Sequence, residues 1–129
     1  MSMQENNLTL EINDTQVAYV PNSIKYKDGK GAVSVNVNAA GGGATTVTHS
    51  VDLENAKGMV TFELRMTQEN DALVRGYFSN IGKNTIRLSN NTTGFTKVFS
   101  GMSLTEDPER QLSADGVIEL VFEGNGAVA

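Results

Sequence analysis

Two stretches of the chain alternate between apolar and small polar residues. They are Ala32-Val33-Ser34-Val35-Asn36-Val37-Asn38 and Thr45-Thr46-Val47-Thr48-His49-Ser50-Val51, joined by a tract containing Gly41-Gly42-Gly43. Side chains of a strand point to opposite faces in turn, so this period of two describes a hairpin with unlike faces. Val33, Val35, Val37, Val47 and Val51 fall on one face; Ser34, Asn36, Asn38, Thr46, Thr48 and Ser50 fall on the other. The second face carries hydroxyls and amides, no charge and no aromatic ring. Two readings stand. The hairpin is one layer of an ordinary sandwich, or hairpins of several copies pair edge to edge into one sheet. The second removes the exposed edges that a lone subunit would carry. It turns the valines outward against each subunit's own core and leaves the hydroxyl face lining a water-filled channel.

The pattern elsewhere is also mostly of period two. Leu8, Leu10 and Ile12 alternate with Thr9 and Glu11, and Ser23 to Lys27 reads as a further strand after the turn signals Asn13-Asp14 and Pro21-Asn22. Met59 to Met66 predicts a strand with Val60, Phe62, Leu64 and Met66 inward and Thr61, Glu63 and Arg65 outward. The period then changes. Thr67 suits an N-cap, Glu69 and Asp71 suit the positive end of a helix dipole, and Leu73, Val74, Tyr77 and Phe78 follow helical spacing, the stripe that would pack on the sheet. Asn80-Ile81-Gly82 ends the helix. Strands follow at Asn84 to Leu88, at Phe95 to Leu104 with Gly101 as a bulge or bend, and at Val117 to Glu123. The sum is seven or eight strands and one helix in a single domain, residues 1–129. The fold class is mainly β: an antiparallel sandwich or partly open barrel with one flanking helix.

A chain of 129 residues without cysteine holds its core without disulfides and does no thiol chemistry. The sequence has no apolar run of spanning length and no basic-then-apolar leader, so synthesis in a cytoplasm, with retention there or release from it, and no membrane insertion are expected. Ten basic against fifteen acidic side chains, net −5, argues against a holder of nucleic-acid phosphates. That sign suits a surface that DNA touches without binding, and it also simply aids solubility.

Enzyme chemistry finds little material. His49 is the only histidine and lies inside a strand pattern, which reads as a side chain at the core edge or in a subunit contact. Glu106, Asp107 and Glu109 around Pro108 lack the alternating spacing of a calcium loop and read as a solvated corner. No Lys-Ser or Lys-Thr follows the three glycines, which excludes a phosphate loop. No catalytic residue, metal or cofactor is expected. A lectin-like monomeric sandwich is the main alternative, and it would cluster exposed aromatics on loops. A small hydrolase would need a second titratable group beside His49.

The second half of the chain carries a resemblance. Gly58-Met59-Val60-Thr61-Phe62-Glu63-Leu64, the helix with Asp71 to Phe78, Asn84-Thr85-Ile86-Arg87-Leu88, and the closing run from Phe99 through Asp107-Pro108-Glu109 and Ala114-Asp115-Gly116 to Gly124 resemble bacteriophage tail tube proteins, especially those of contractile tails. The resemblance implies a virion structural protein whose hexameric rings stack into a hollow tube, related to the tubes of type VI secretion systems and phage-like bacteriocins. It implies copies of itself as the first partner, with tail sheath, baseplate hub and tape-measure proteins and the transient passage of double-stranded DNA. On this reading Ser34, Asn36, Asn38, Thr46, Thr48, Ser50, Glu63, Glu119 and Glu123 face the lumen. Gly41, Gly42, Gly43, Asp52, Glu54 and Lys57 then make contacts between subunits or rings.

Overall fold

The computed structural model describes residues 7–39, 43, 45–53 and 56–127. Nine strands and one helix follow in order: β1 (Leu8–Ile12), β2 (Thr15–Val17), β3 (Lys25–Lys27), β4 (Ala32–Ala39), β5 (Thr45–Asp52), β6 (Gly58–Arg65), α1 (Gln68–Ser79), β7 (Asn84–Asn90), β8 (Phe95–Leu104) and β9 (Val117–Gly124). Seven strands form one antiparallel sheet in the order β2-β1-β7-β8-β9-β6-β3, while β4 and β5 form a separate two-stranded sheet. The expected class, mainly β with one flanking helix, is the observed one. Strand β3 falls within the strand expected at Ser23 to Lys27, while β2 has too few residues to show a period of its own.

Local chemistry explains the joints. Asn13 and Asp14 both hold positive φ (54° and 68°), the two-residue turn that matches strand twist and tolerates Asn and Asp. Strand β8 bends where it changes partners. It pairs with β7 through Phe95 to Phe99 and with β9 at Ser103 and Leu104. Between Asn84↔Met102 and Ile86↔Phe99, three steps on β8 oppose two on β7, and Gly101 sits there at φ +61°. This is the expected bulge, and it folds the long sheet over its own apolar face. The chain leaving β2 at one margin then reaches the other: the Val20 amide donates to the Glu63 carbonyl at 2.8 Å, and β3 continues beside β6.

The core lies between the two halves of the bent sheet, with α1 against it. Val60, Phe62 and Leu64 of β6 face Ile118, Leu120 and Phe122 of β9, all buried, as their alternation predicts. The Phe62 and Phe122 rings stack at 5.7 Å, and Tyr77 meets Phe122 edge-on at 5.9 Å. Desolvation at that site raises the Tyr77 pKa above its ordinary value. Thr67 caps α1, accepting from the Asn70 amide. The helical stripe is narrower than expected: Val74 and Tyr77 are buried and Leu73 packs at the core margin, but Phe78 remains 42% exposed. Only Val74 and Tyr77, the residues turned most directly to the cluster, are buried in it.

Candidate functional site

The hairpin of β4 and β5 has the register that alternation predicts. Val33 lies opposite Val51, Val35 opposite His49 and Val37 opposite Val47; on the other face Ser34 meets Ser50, Asn36 meets Thr48 and Asn38 meets Thr46. Long hydrogen bonds tie the hydroxyl face together, with Thr48 Oγ1 donating to the Asn36 carbonyl and Thr46 Oγ1 to the Asn38 carbonyl, both at 3.5 Å. Asn38 Nδ2 reaches Thr48 Oγ1 at 3.4 Å. The base of the hairpin is held closely. At Gly31, φ is +78°, and a Cβ there would stand 2.4 Å from the Asp52 carbonyl oxygen on the returning arm. Only glycine permits that approach.

The valine face departs from expectation. Val33, Val35, Val37, Val47 and Val51 are 51% to 70% exposed, and none joins the buried cluster. The ribbon is neither a layer of the chain's own sandwich nor packed on its own core. Physically, β6 to β9 already close the core with their own inner faces, which leaves no apolar surface for the ribbon to cover. His49, expected at the core edge or in a subunit contact, is likewise not at the core edge. It stands exposed in the middle of the valine face, with Val47 and Val51 two residues either side. Ser34 and Ser50 lie on the opposite face, so the imidazole has valines around it rather than a hydroxyl to activate.

Both long margins of the ribbon are eight residues, and neither belongs to the seven-stranded sheet. An isolated two-stranded ribbon is marginal in water and needs further strands or a packed face. The end strands of the seven-stranded sheet, β2 and β3, are three residues each. They are too short to complete it.

The carboxylates expected to share a lumen do come together. Glu63 and Glu119 face each other directly across β6 and β9, and Glu123 lies on the same outward face. With Glu106, Asp107 and Glu109 they line a groove of about 1050 Å³ between that face and the corner after β8. Glu123 is ion-paired to Lys57 at 3.2 Å, which joins an expected lumen residue to an expected contact residue within one chain. The corner is not simply solvated. Arg110 Nε donates to Asp71 Oδ1 at 2.8 Å and its Nη1 donates to the Pro108 carbonyl at 2.8 Å and to Asp107. The hydrogen bond that Arg110 donates to Asp107, more than the one it donates to Asp71, raises the Arg110 pKa. Asp71 therefore both favours the start of α1 and anchors the corner, a role that its helical position did not disclose. Of the expected contact residues, Gly43 has φ +85° in open space, and Asp52 closes β5 opposite Ala32. Gly41, Gly42 and Glu54 lie outside the described residues. No group of three or more metal-ligating side chains gathers among the described residues, and no helix there is long and apolar enough to cross a membrane.

With that geometry in hand, the fold has clear relatives. No protein-family model matches the chain, and no curated protein matches its sequence. Solved structures do match. The tube-terminating cap of an anti-feeding prophage aligns at TM-score 0.62 and 12% identity, covering 99% of this chain and 90% of that one. The sheath/tube terminator of an extracellular contractile injection system aligns at 0.62 and 15%, covering 99% and 96%. A chain of the sheath-tube complex of an extracellular contractile injection system aligns at 0.58 and 13%, covering 98% and 90%. At these identities the likeness is one of fold, and it extends over nearly the whole chain.

Sequence reasoning missed two polar nodes. Buried Asn84 donates through Nδ2 to the carbonyls of Tyr77, Asn80 and Met102, and its Oδ1 accepts from Asn13 and Asn80. Buried Asn90 accepts from the amides of Thr92 and Thr93 through Oδ1 and so shapes the β7–β8 turn. The second had a signal in Asn90-Asn91-Thr92-Thr93-Gly94. The first had none, because its partners converge from three separate segments.

Proposed function

We propose that this chain is a structural, non-enzymatic subunit of a phage-tail-like tube. Six copies close a ring by pairing their β4–β5 ribbons, rings stack into a hollow conduit, and the cargo passed is double-stranded DNA. One observation carries the reading: a ribbon of two eight-residue strands whose outer margins pair with no other strand among the described residues, with an exposed valine face, on a body that has already completed its own core. A second copy presents ribbon margins of the same length. The likeness in fold to chains of a tube-terminating cap, a sheath/tube terminator and a sheath-tube complex supports a place in such an assembly. Ser34, Asn36, Asn38, Thr46, Thr48 and Ser50, with Glu63, Glu119 and Glu123, form the lumen in this arrangement. Hydroxyls, amides and carboxylates give DNA no cations and no stacking surfaces, so it slides. The sheath, the baseplate hub and a tape-measure protein are the further partners of such a tube. The lectin-like alternative loses its footing, since the exposed rings Tyr26 and Phe78 sit on β3 and α1 rather than on loops.

Two of the structural relatives are terminators, which favours a second reading in which the chain forms a single capping ring. Negative-stain microscopy of the purified protein tests both. Stacked rings or tubes are the expected result, isolated rings that bind tube ends would assign the terminator role, and monomers at all concentrations would overturn the assembly.

A further inference from the structure

The ribbon joins the body at two connections. The chain enters it through residues 28–31 and returns at Lys57 and Gly58, the start of β6. Among the described residues β4 and β5 pair only with each other, so the direction in which the ribbon leaves the body is set at this joint. The segment after β9 passes through it. The Ala127 amide donates to the Asp28 carbonyl at 3.0 Å, and Ala127 packs at the margin of the core. A Cβ on Gly126 would stand 2.7 Å from that same carbonyl oxygen, and a Cβ on Gly58 would collide with the Asn125 carbonyl. Backbones approach this closely only where glycine stands. Residues 125–127 therefore touch both the entering and the returning connection. Two ion pairs brace the joint from the sheet. Lys97 of β8 stands 3.1 Å from Asp28, outside hydrogen-bonding alignment, and Lys57 stands 3.2 Å from Glu123 of β9. Every one of these four side chains keeps part of its surface in water, so each pair is a weak tie beside the packed backbone.

We propose that residues 125–127 are a strap that fixes the direction of the ribbon in the free subunit and so presets its margins for the next copy. The presetting rests on the pairing of ribbons proposed above. A ribbon able to swing at both connections would have to be ordered as each ring closes, which weakens association. The strap does that ordering earlier, when the subunit folds. It is continuous with the body, because Gly124 pairs with Gly58 at the end of the β6–β9 ladder. Its far end is held by the Ala127 amide and side chain. The glycines at 58 and 126 are then explained together: each removes a Cβ from a place where the strap crosses one connection.

The test reads direction and assembly separately. The chain has no cysteine, so Asn36→Cys on the ribbon and Lys83→Cys on the body, both exposed, can carry a pair of spin labels in dilute subunits. With the strap intact the distance between them is expected to be narrowly distributed. G126V, which drives a side chain against the Asp28 carbonyl, and a chain ended after Gly124 are each expected to broaden it, while the β6 and β9 amides stay protected from exchange. The lowest concentration that yields sedimentable particles, measured without labels, is expected to rise about tenfold in both. N125A keeps the strap's backbone and is expected to match the unaltered chain in both measurements. An equally narrow distribution in G126V and in the shortened chain would overturn the strap and leave the ribbon's direction to the ion pairs. Broadening with an unchanged threshold would overturn the presetting, and loss of β6 and β9 protection would make the segment a part of the body's stability instead. Failure of the unaltered chain to assemble would overturn ribbon pairing and the presetting with it, while the distances in dilute subunits would still decide whether the strap holds the ribbon.

Discussion

At the scale of single residues, polar side chains do the joining and apolar ones the filling. Asn84 ties the end of α1, the β8 bulge and the Asn13 turn together from a fully buried position. Asn84→Leu removes a side-chain donor from three carbonyls, two of which keep a backbone donor, and leaves the Asn13 and Asn80 amides without their acceptor; it is expected to destabilise the subunit by about 2–4 kcal/mol, read from the denaturation midpoint at unchanged slope. Thr67→Ala removes only the cap of α1 and is expected to cost about 1 kcal/mol in the same experiment. These two differ in how legible they were. Thr67 was readable because a cap is a local matter, a hydroxyl three residues before the amide that it accepts from. Asn84 was not, because its value lies in a convergence that only tertiary structure creates. Arg110 belongs with Asn84: a lone cation in an acidic corner, whose partner Asp71 is remote in sequence.

At the scale of elements, the ribbon was visible as a pattern, and its register is the one that alternation required. What the pattern could not convey was that the body leaves the ribbon uncovered, since alternation reports faces and not what lies against them. Two predictions belong here. Val35→Asp with Val47→Asp is expected to change subunit stability by less than about 0.5 kcal/mol, since both positions are exposed, yet to abolish assembly. Equal losses of stability and assembly in denaturation and sedimentation would contradict that separation. Asn36→Lys or Thr48→Lys places cations on the hydroxyl face. Particles are expected to form but to pass DNA poorly, because fixed cations hold phosphates. Unimpaired passage in assembled particles would remove that face from the lumen.

At the scale of the whole molecule, the division of labour is clear. The seven-stranded sheet and α1 make a self-sufficient body, and the ribbon is an appendage that contributes nothing to its core. Fold class followed from the sequence because alternation dominates it and a single change of period marks the helix. Strand order did not, since pairing such as β1 with β7 or β6 with β9 joins segments far apart along the chain. Phe122→Ala, at the meeting of Phe62 and Tyr77, is expected to destabilise the body by about 3–5 kcal/mol in thermal or denaturant unfolding.

The claim on which the account turns is that ribbon margins are completed by other copies, and residue-resolved amide hydrogen exchange reads it directly. Half of the β4 and β5 amides point away from the partner strand. They are expected to exchange freely in dilute subunits and to become protected in assembled particles, while the β6 and β9 amides stay protected in both. Protection of those outward amides in the monomer, or their free exchange in the particle, would contradict it.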